Sequence, residues 1–124
     1  MIALALVADL AAMGCTVVGR AASGEEAADL ARREAPDIVI MDVNLAGAID
    51  GIEAASRIQQ ASSARIVFIT AFSEGPDRPR MDALGPAAVL GKPYDPDALA
   101  EIVGACTAWL WARRRNPATA GSAD

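Results

Sequence analysis

Three apolar runs of the sequence each stop at a side chain that could take part in phosphate chemistry. Residues 38–41 lead to Asp42, residues 66–69 lead to Thr70, and residues 87–91 lead to Lys92. Short continuous apolar runs are typical of strands buried on both faces. If the strands are parallel, their carboxyl ends meet at one edge of the sheet, where open α/β folds bind ligands. A carboxylate, a hydroxyl and an ammonium at that edge would suit phosphate chemistry on Asp42.

Helical patterns flank and separate these strands. Residues 1–13 predict a helix that is apolar nearly all round and therefore buried. Residues 15–19 predict a short strand. Ser23 and Glu26 form a capping box, which predicts a helix starting there and running through Glu34. Further helices are predicted at 51–60, from near Pro79 to Gly85, and from Pro96 onwards after an N-cap at Asp95.

The alternation of helices and strands predicts a doubly wound α/β fold, in which a parallel sheet is covered by helices on both faces. Residues 1–115 would form one domain, which at this length can bury a core without covalent staples. Cys106 and Trp109 lie on the apolar stripe of the last helix. Residues 116–124 lack hydrophobic periodicity and are predicted to be a disordered tail.

The composition argues against several classes of function. A formal net charge of −5 argues against a nucleic-acid-binding surface, and the one basic cluster, Arg113–Arg115, is interpreted as a solvated helix end. With two cysteines and no histidine, the chain has neither a Cys₂His₂ or Cys₄ zinc site nor a histidine base. Residues 1–14 contain no lysine or arginine and are too few to span a bilayer. No membrane association is expected, and a cytoplasmic location is predicted.

Taken in order, four motifs resemble the receiver domain of bacterial response regulators. They are Pro-Asp-Ile-Val-Ile-Met-Asp42-Val-Asn, Asp50-Gly51, Val-Phe-Ile-Thr70-Ala71 and Leu-Gly-Lys92-Pro93-Tyr94-Asp95. The resemblance extends from Met1 to about Trp111. It implies a flavodoxin-like (CheY-like) fold and a signalling protein that accepts a phosphoryl group from a histidine kinase or a phosphotransfer protein.

The resemblance also implies a role for each residue of the site. Asp42 would be the phosphoacceptor, and together with the backbone carbonyl of Asn44 it would hold Mg²⁺. Thr70 and Lys92 would be catalytic, Thr70 as the switch hydroxyl and Lys92 as a ligand of a phosphoryl oxygen. Ala71 would keep the approach to Asp42 open, Val89 would occupy the switch position, and the peptide into Pro93 would be cis.

The sequence departs from the family most seriously at its start. A receiver begins with a strand that ends in an acidic pair for Mg²⁺, whereas Met1 already lies in the first helix. Asp9 lies within that helix and is not expected to be a metal ligand. In the family's strand order 2-1-3-4-5, the missing strand would separate the 15–19 and 38–42 strands by roughly 10 Å. Three explanations stay open: a true start upstream of Met1, a rearranged or partner-complemented fold, and a degenerate module that is not phosphorylated.

Two further departures affect the switch and the loop beside the site. Val89 stands where the family often has an aromatic residue, so the usual coupling between threonine and aromatic residue is in doubt. The loop from Asn44 to Gly51 lacks the usual proline and is one residue longer than the commonest form. The phosphate lifetime and the choice of kinase are therefore expected to differ.

The predicted function is that of a single-domain receiver, with no enzymatic activity, that signals by contact with another protein. Its partner, or a second copy in a homodimer, would bind the face formed by residues 71–111, where Trp109 and Trp111 cannot both point inward. The alternative is a pseudo-receiver that binds partners without being phosphorylated. A haloacid-dehalogenase-like phosphatase is disfavoured because Asn44 replaces the second aspartate of that family's motif.

Overall fold

The computed structural model describes residues 3–44 and 47–115. Within these ranges the elements are α1 (Ala3–Ala12), α2 (Gly24–Glu34), β1 (Ile38–Asp42), α3 (Gly51–Ala61), β2 (Arg65–Thr70), α4 (Arg78–Asp82), β3 (Ala88–Gly91) and α5 (Pro96–Arg115). The predicted tail at 116–124 lies outside the described residues. None of the described helices combines the length and the apolar character needed to cross a membrane.

The three strands form one parallel sheet in the order β1-β2-β3, with β2 in the centre. Ile40 of β1 faces Val67 of β2, and Val67 in turn faces Ala88 of β3. Because both edges of β2 are paired, this strand is almost entirely enclosed, and residues 66–70 are at most 2% exposed. The prediction of a parallel sheet built from buried apolar runs is confirmed.

Successive side chains of β2 point to opposite faces of the sheet and enter two apolar layers. Phe68 and Ile66 pack in one cluster with residues of α2, α3 and α4. Val67 and Ile69 point to the other face, where α5 contributes the buried side chains of Leu99, Val103 and Cys106. Helices therefore cover both faces of the sheet, as expected for a doubly wound fold, and Cys106 is buried as predicted.

Side-chain caps define the starts of the helices. The Oγ of Ser23 accepts a hydrogen bond from the Glu26 N–H at 3.1 Å, and the Glu26 carboxylate accepts one from the Ala22 N–H at 2.9 Å. The glutamate thus reaches one residue further back than a regular capping box requires. At α5, the Asp95 Oδ1 accepts a bond from the Asp97 N–H at 2.9 Å. Both predicted helix starts are confirmed.

Two predictions about the N-terminal region are wrong. Residues 15–20 have no regular secondary structure, and Val17 and Val18 are 37% and 47% exposed. Helix α1 forms, but none of its side chains from Leu6 onwards is buried. Both differences have one cause: the described residues include no strand before Ile38 that could pair with residues 15–20 and pack against α1.

Gly51 fixes the loop after β1 against the first turn of α3. Its N–H donates a hydrogen bond to the Val43 carbonyl at 2.9 Å. A Cβ at this position would collide with the carbonyl group of Asp42. The close approach of the two backbone segments therefore requires glycine, and it holds the end of β1 in place.

Replacing Gly51 by alanine is expected to destabilise the protein by about 1–3 kcal/mol, because the added methyl group must displace the backbone at Asp42. Gly104→Ala is the matched control. No atom lies within 4 Å of a Cβ built there, and alanine at this helical position is expected to stabilise the protein by about 0.5–1 kcal/mol. Urea unfolding measures both free energies, and a Gly51→Ala variant as stable as the wild type would contradict the close approach.

Candidate functional site

The three side chains singled out in the sequence lie at one edge of the sheet. Asp42 is the last residue of β1, Thr70 is the last residue of β2, and Lys92 follows Gly91 at the end of β3. Because the strands are parallel, their carboxyl ends coincide at this edge. The register pairs Asp42 with Ile69, and Thr70 with Gly91, so the three side chains emerge at nearly the same level.

A direct ion pair joins Asp42 and Lys92, the only lysine of the chain. The Lys92 Nζ donates to the Asp42 Oδ2 at 2.7 Å, and both side chains are 27% exposed. The Lys92 backbone N–H also donates to the Thr70 carbonyl at 2.9 Å, which continues the pairing of β2 and β3 by one residue. The lysine side chain therefore crosses the end of β2 to reach Asp42. Its ammonium group lies where negative charge on Asp42 would increase.

The second oxygen of the Asp42 carboxylate is held by the turn that follows. Its Oδ1 accepts a hydrogen bond from the backbone N–H of Asn44 at 3.0 Å. Thr70 is 2% exposed, and its Oγ1 accepts a bond from the Phe72 N–H at 3.2 Å. Because Oγ1 is the acceptor in this bond, the hydrogen of the Thr70 hydroxyl is available for donation to another group. The carboxylate, the ammonium and the hydroxyl are therefore all oriented by backbone or side-chain bonds.

The described part of the loop between Asn44 and α3 is attached to α2. The Ile49 N–H donates to the Glu25 Oε1 at 2.9 Å. Gly47 has a φ of +107°, and a side chain at this position would collide with the Glu25 carboxylate. The described part of this longer loop thus docks against the start of α2.

A charged network that sequence reasoning missed borders the same edge. Arg80 of α4 lies 3.0 Å from the Asp50 carboxylate and 3.2 Å from that of Asp77. Burial alone would raise the pKa of Asp50, but the hydrogen bond from the Glu53 N–H and the Arg80 charge together lower it. Both aspartates directly precede helices and occupy N-cap positions. This position in the sequence was the signal from which the two aspartates could have been predicted.

An open depression of about 410 Å³ lies beside Thr70, and its walls include residues that sequence reasoning did not select. It is lined by Val43, Asn44, Thr70, Phe72, Pro76 and Asp77. Phe72 is 68% exposed, so an aromatic ring stands next to the site on the solvent side. In the sequence, the only indication that Phe72 lies beside the site was its position in a loop two residues after Thr70.

The remaining predicted site residues surround this edge. Ala71 and Pro93 are exposed beside Thr70 and Lys92, and the peptide bond between Lys92 and Pro93 is cis. Val89 is half-buried within β3, where it pairs with Phe68. The cis peptide at Pro93 was expected from the resemblance, whereas the roles of Ala71, Val89 and Pro93 stay predictions.

Asp9 of α1 contacts the segment that follows Lys92. The Tyr94 hydroxyl donates to the Asp9 carboxylate at 2.5 Å. Burial of the phenol and this hydrogen bond raise the pKa of Tyr94 to about 12. Asp9 is therefore engaged with a neutral phenol at physiological pH and attaches α1 to the start of α5.

The donor atoms at Asp42 do not by themselves fit a magnesium site. Mg²⁺ prefers six oxygen ligands in octahedral geometry. Among the described residues, no group of three or more aspartate, glutamate, histidine or cysteine side chains is arranged to hold a metal. Within the described ranges, Asp42 is the one carboxylate at the end of β1, and both its oxygens already accept hydrogen bonds.

Comparison with known proteins identifies the family. The family model described as "Response regulator receiver domain" matches residues 1–104. The chain therefore belongs to the response regulator receiver domain family. The predicted flavodoxin-like receiver fold is confirmed, and the first strand among the described residues is β1 at Ile38–Asp42.

Individual relatives and solved structures agree with this assignment. The transcriptional regulatory protein PdtaR of Mycobacterium tuberculosis (strain H37Rv) is 44% identical over 90 residues, which are 69% of this chain and 43% of PdtaR. The signal receiver domain of a modulated diguanylate cyclase from Desulfovibrio desulfuricans has a TM-score of 0.78 and 33% identity, covering 84% of this chain and 82% of that one.

A further solved structure bears on the metal. The receiver domain of the sensor histidine kinase PA1611 from Pseudomonas aeruginosa contains magnesium in its active-site cleft. It has a TM-score of 0.71 and 27% identity, and the match covers 82% of this chain and 84% of that one.

The match to the curated relative PdtaR, by contrast, spans only 43% of the length of PdtaR.

The lowered pKa of Asp50 predicts a stability difference that depends on pH. Asparagine caps helices about as well as aspartate, so Asp50→Asn is expected to lose only the Arg80 interaction, about 0.2–1 kcal/mol at pH 7. A carboxylate with a lowered pKa stabilises the fold above its unfolded value, here 3.8, and this contribution is lost as the pH falls through the folded value. The difference from the wild type should therefore vanish in acid.

Urea unfolding of the wild type and of Asp50→Asn, Arg80→Gln and the double variant, at neutral and acidic pH, measures this coupling. A coupling free energy of zero at pH 7, or one that persists unchanged at a pH well below the lowered pKa of Asp50 in the folded protein, would contradict the assigned interaction. Asp50→Ala should lose about 1 kcal/mol more than Asp50→Asn at either pH, because it also removes the cap.

Proposed function

We propose that this chain is a response regulator receiver that accepts a phosphoryl group on Asp42 from a histidine kinase or a phosphotransfer protein. The observation that carries the proposal is the ion pair between Asp42 and Lys92 across the end of β2, next to the hydroxyl of Thr70. Membership of the receiver family supports the same function.

The proposed reaction follows from the charges of these groups. A carboxylate oxygen of Asp42 attacks the phosphorus of a phosphohistidine, the P–N bond breaks, and the imidazole leaves with the bonding electrons. The product is an acyl phosphate on Asp42. Attack by an anion on a phosphorylated donor brings like charges together, so a positioned cation lowers the barrier. Lys92 supplies that charge, and Thr70 donates a hydrogen bond to a phosphoryl oxygen.

Magnesium is proposed as a weakly bound cofactor. When bound, it offsets negative charge at the reacting phosphoryl group. Asp42 and the backbone carbonyl of Asn44 are its proposed contacts in this chain. Since these groups leave most of the octahedral positions to water or to the phosphoryl oxygens, we expect a much lower affinity than in receivers with a complete carboxylate set.

The proposed output is a contact with another protein, or with a second copy, through residues 71–111. Two exposed aromatic side chains support this assignment, because exposed aromatics often anchor interfaces. Phe72 is 68% and Trp111 is 60% exposed. The ring of Trp109 instead contacts the guanidinium groups of Arg65 and Arg113, whose carbon atoms lie 4.9 and 4.7 Å from the ring centre. The proposed location is the cytoplasm.

Phosphorylation of Asp42 is expected to add one phosphate to the chain in the presence of Mg²⁺ and a small-molecule phosphodonor. Intact-mass spectrometry measures the adduct. Asp42→Asn should abolish it, because the nucleophilic carboxylate is lost. Asp37→Asn is the matched control, since Asp37 precedes the same strand at its opposite end, and it should leave the adduct unchanged. Removal of Mg²⁺ with a chelator should slow its formation.

An adduct that forms equally on Asp42→Asn would place the phosphate elsewhere and overturn the assignment. Absence of any adduct on the wild type would favour the pseudo-receiver, which binds partners without chemistry. Binding of a partner that is the same for wild type and Asp42→Asn would point to the same conclusion.

Replacing Lys92 by methionine is expected to slow adduct formation by about 100-fold, because the variant loses the one ammonium directed at the reacting carboxylate. Lys92→Arg keeps a positive charge but changes its geometry, so its rate should lie between those of the wild type and Lys92→Met. Initial rates from the mass time course measure both variants, with circular dichroism as a check of folding. An unchanged rate in folded Lys92→Met would remove Lys92 from the mechanism.

A further inference from the structure

A second depression lies at the opposite edge of the sheet from Asp42. Its volume is about 320 Å³, and the residues that line it include Arg65, Ala87 and, on α5, the stretch from Glu101 to Trp109. Arg65 is the first residue of β2, and Ala87 directly precedes β3. The depression therefore adjoins the amino-terminal ends of these strands, where none of the groups proposed for phosphoryl transfer lies.

The guanidinium group of Arg65 is enclosed in this region without an acceptor. Its Nε is buried and forms no hydrogen bond with a described residue. Buried donors in native proteins are nearly always paired, because an unpaired one loses its bonds to water without replacement. The group contacts the ring of Trp109 instead, with 4.9 Å between its central carbon and the ring centre. A ring face attracts the cation, but a ligand with an acceptor oxygen would supply the missing hydrogen-bond partner.

A second guanidinium group adjoins the same ring. The central carbon of Arg113 lies 4.7 Å from the ring centre of Trp109. Among the ion pairs of the described residues, Arg114 binds Asp37 at 3.6 Å, whereas none includes Arg65 or Arg113. Two cations without a carboxylate partner thus meet at one indole ring. Charge complementarity at this end of the depression favours an anionic group.

The other walls of the depression favour an anion that is attached to an apolar body. Ala87, Ile102 and Ala105 line it, and their side chains offer no hydrogen bonds to a small inorganic anion. Glu101 also lines it, and this residue is eight positions before Trp109, which is about 12 Å along the axis of α5. A matching ligand has a carboxylate at one end, an apolar middle and a cation at the other end.

An extended peptide provides this arrangement of groups. Side chains at alternate positions of an extended chain lie on one face, and each residue adds about 3.3 Å. An acidic and a basic residue four positions apart are therefore about 13 Å from each other, with an apolar residue midway on the same face. This spacing agrees with the separation of Glu101 and Trp109 along α5.

We propose that this depression binds an extended segment of a partner polypeptide with the pattern acidic–x–apolar–x–basic. The acidic side chain pairs with Arg65 and Arg113, the apolar one packs on Ile102, and the basic one pairs with Glu101. The binding does not rest on the proposed phosphorylation of Asp42, which lies at the other edge of the sheet. It assigns a chemical class of partner to a surface that the exposed side chains of Phe72 and Trp111 do not mark.

The probe is the acetylated and amidated peptide Ser-Glu-Ser-Leu-Ser-Lys-Ser, added to the full chain without Mg²⁺ or a phosphodonor. Titration followed by nuclear magnetic resonance should give saturable shifts of the Trp109 indole N–H and the Arg65 Nε–H. The indole N–H of Trp111, which is 60% exposed, should change much less. Glutamine in place of the peptide's glutamate should weaken binding by about tenfold, because the charge-assisted hydrogen bonds to guanidinium are lost.

Replacing Arg65 by methionine keeps an unbranched side chain beside Trp109 but removes the charge, and it should weaken binding of the glutamate peptide by about tenfold. The glutamine peptide should bind Arg65→Met and the wild type almost equally, since the ion pair is broken in both. Arg57→Met is the matched control, because Arg57 lies on α3 and pairs with Glu53 at 3.5 Å. This variant should bind the glutamate peptide as the wild type does, and circular dichroism checks the folding of both variants.

Absence of saturable shifts at Trp109, or equal affinity of the wild type for the two peptides, would overturn the proposed site. This comparison of peptides needs no variant, so it decides even if Arg65→Met does not fold. Saturation by sodium acetate at the same concentrations as the peptide would identify a site for simple anions and overturn the peptide assignment. Because no phosphodonor is present, these outcomes are independent of whether Asp42 forms a phosphate adduct.

Discussion

The constraint on which the structure depends is the pairing of β2 on both of its edges. Because its N–H and C=O groups are bonded to β1 and β3, this strand can be enclosed completely. The pairing also continues by one residue, since the Lys92 amide bonds the Thr70 carbonyl. The backbone of Lys92 is therefore fixed beside Thr70, and its side chain extends to Asp42. The register of the sheet therefore determines where the side chains of the candidate site lie relative to one another.

At this edge of the sheet, the two cations Arg80 and Lys92 bind different carboxylates. Arg80 binds Asp50 and Asp77, which precede α3 and α4. Among the ion pairs of the described residues, Lys92 binds Asp42 alone. Because Arg80 pairs with Asp50 and Asp77, the ammonium of Lys92 is directed at the proposed nucleophile. Arg80 therefore contributes to the electrostatics of the edge, although it touches neither Asp42 nor Thr70 in the hydrogen bonds described.

The sequence predicts those features that depend on local pattern. The three described strands, the capped starts of α2 and α5, and the Asp42–Thr70–Lys92 edge follow from apolar runs and cap residues that are close together in the chain. The features it did not predict depend on distant contacts. Arg80 and Asp50 are 30 residues apart, and Tyr94 and Asp9 are 85 apart. The strand expected at 15–19 does not form, because a strand exists only with a neighbour.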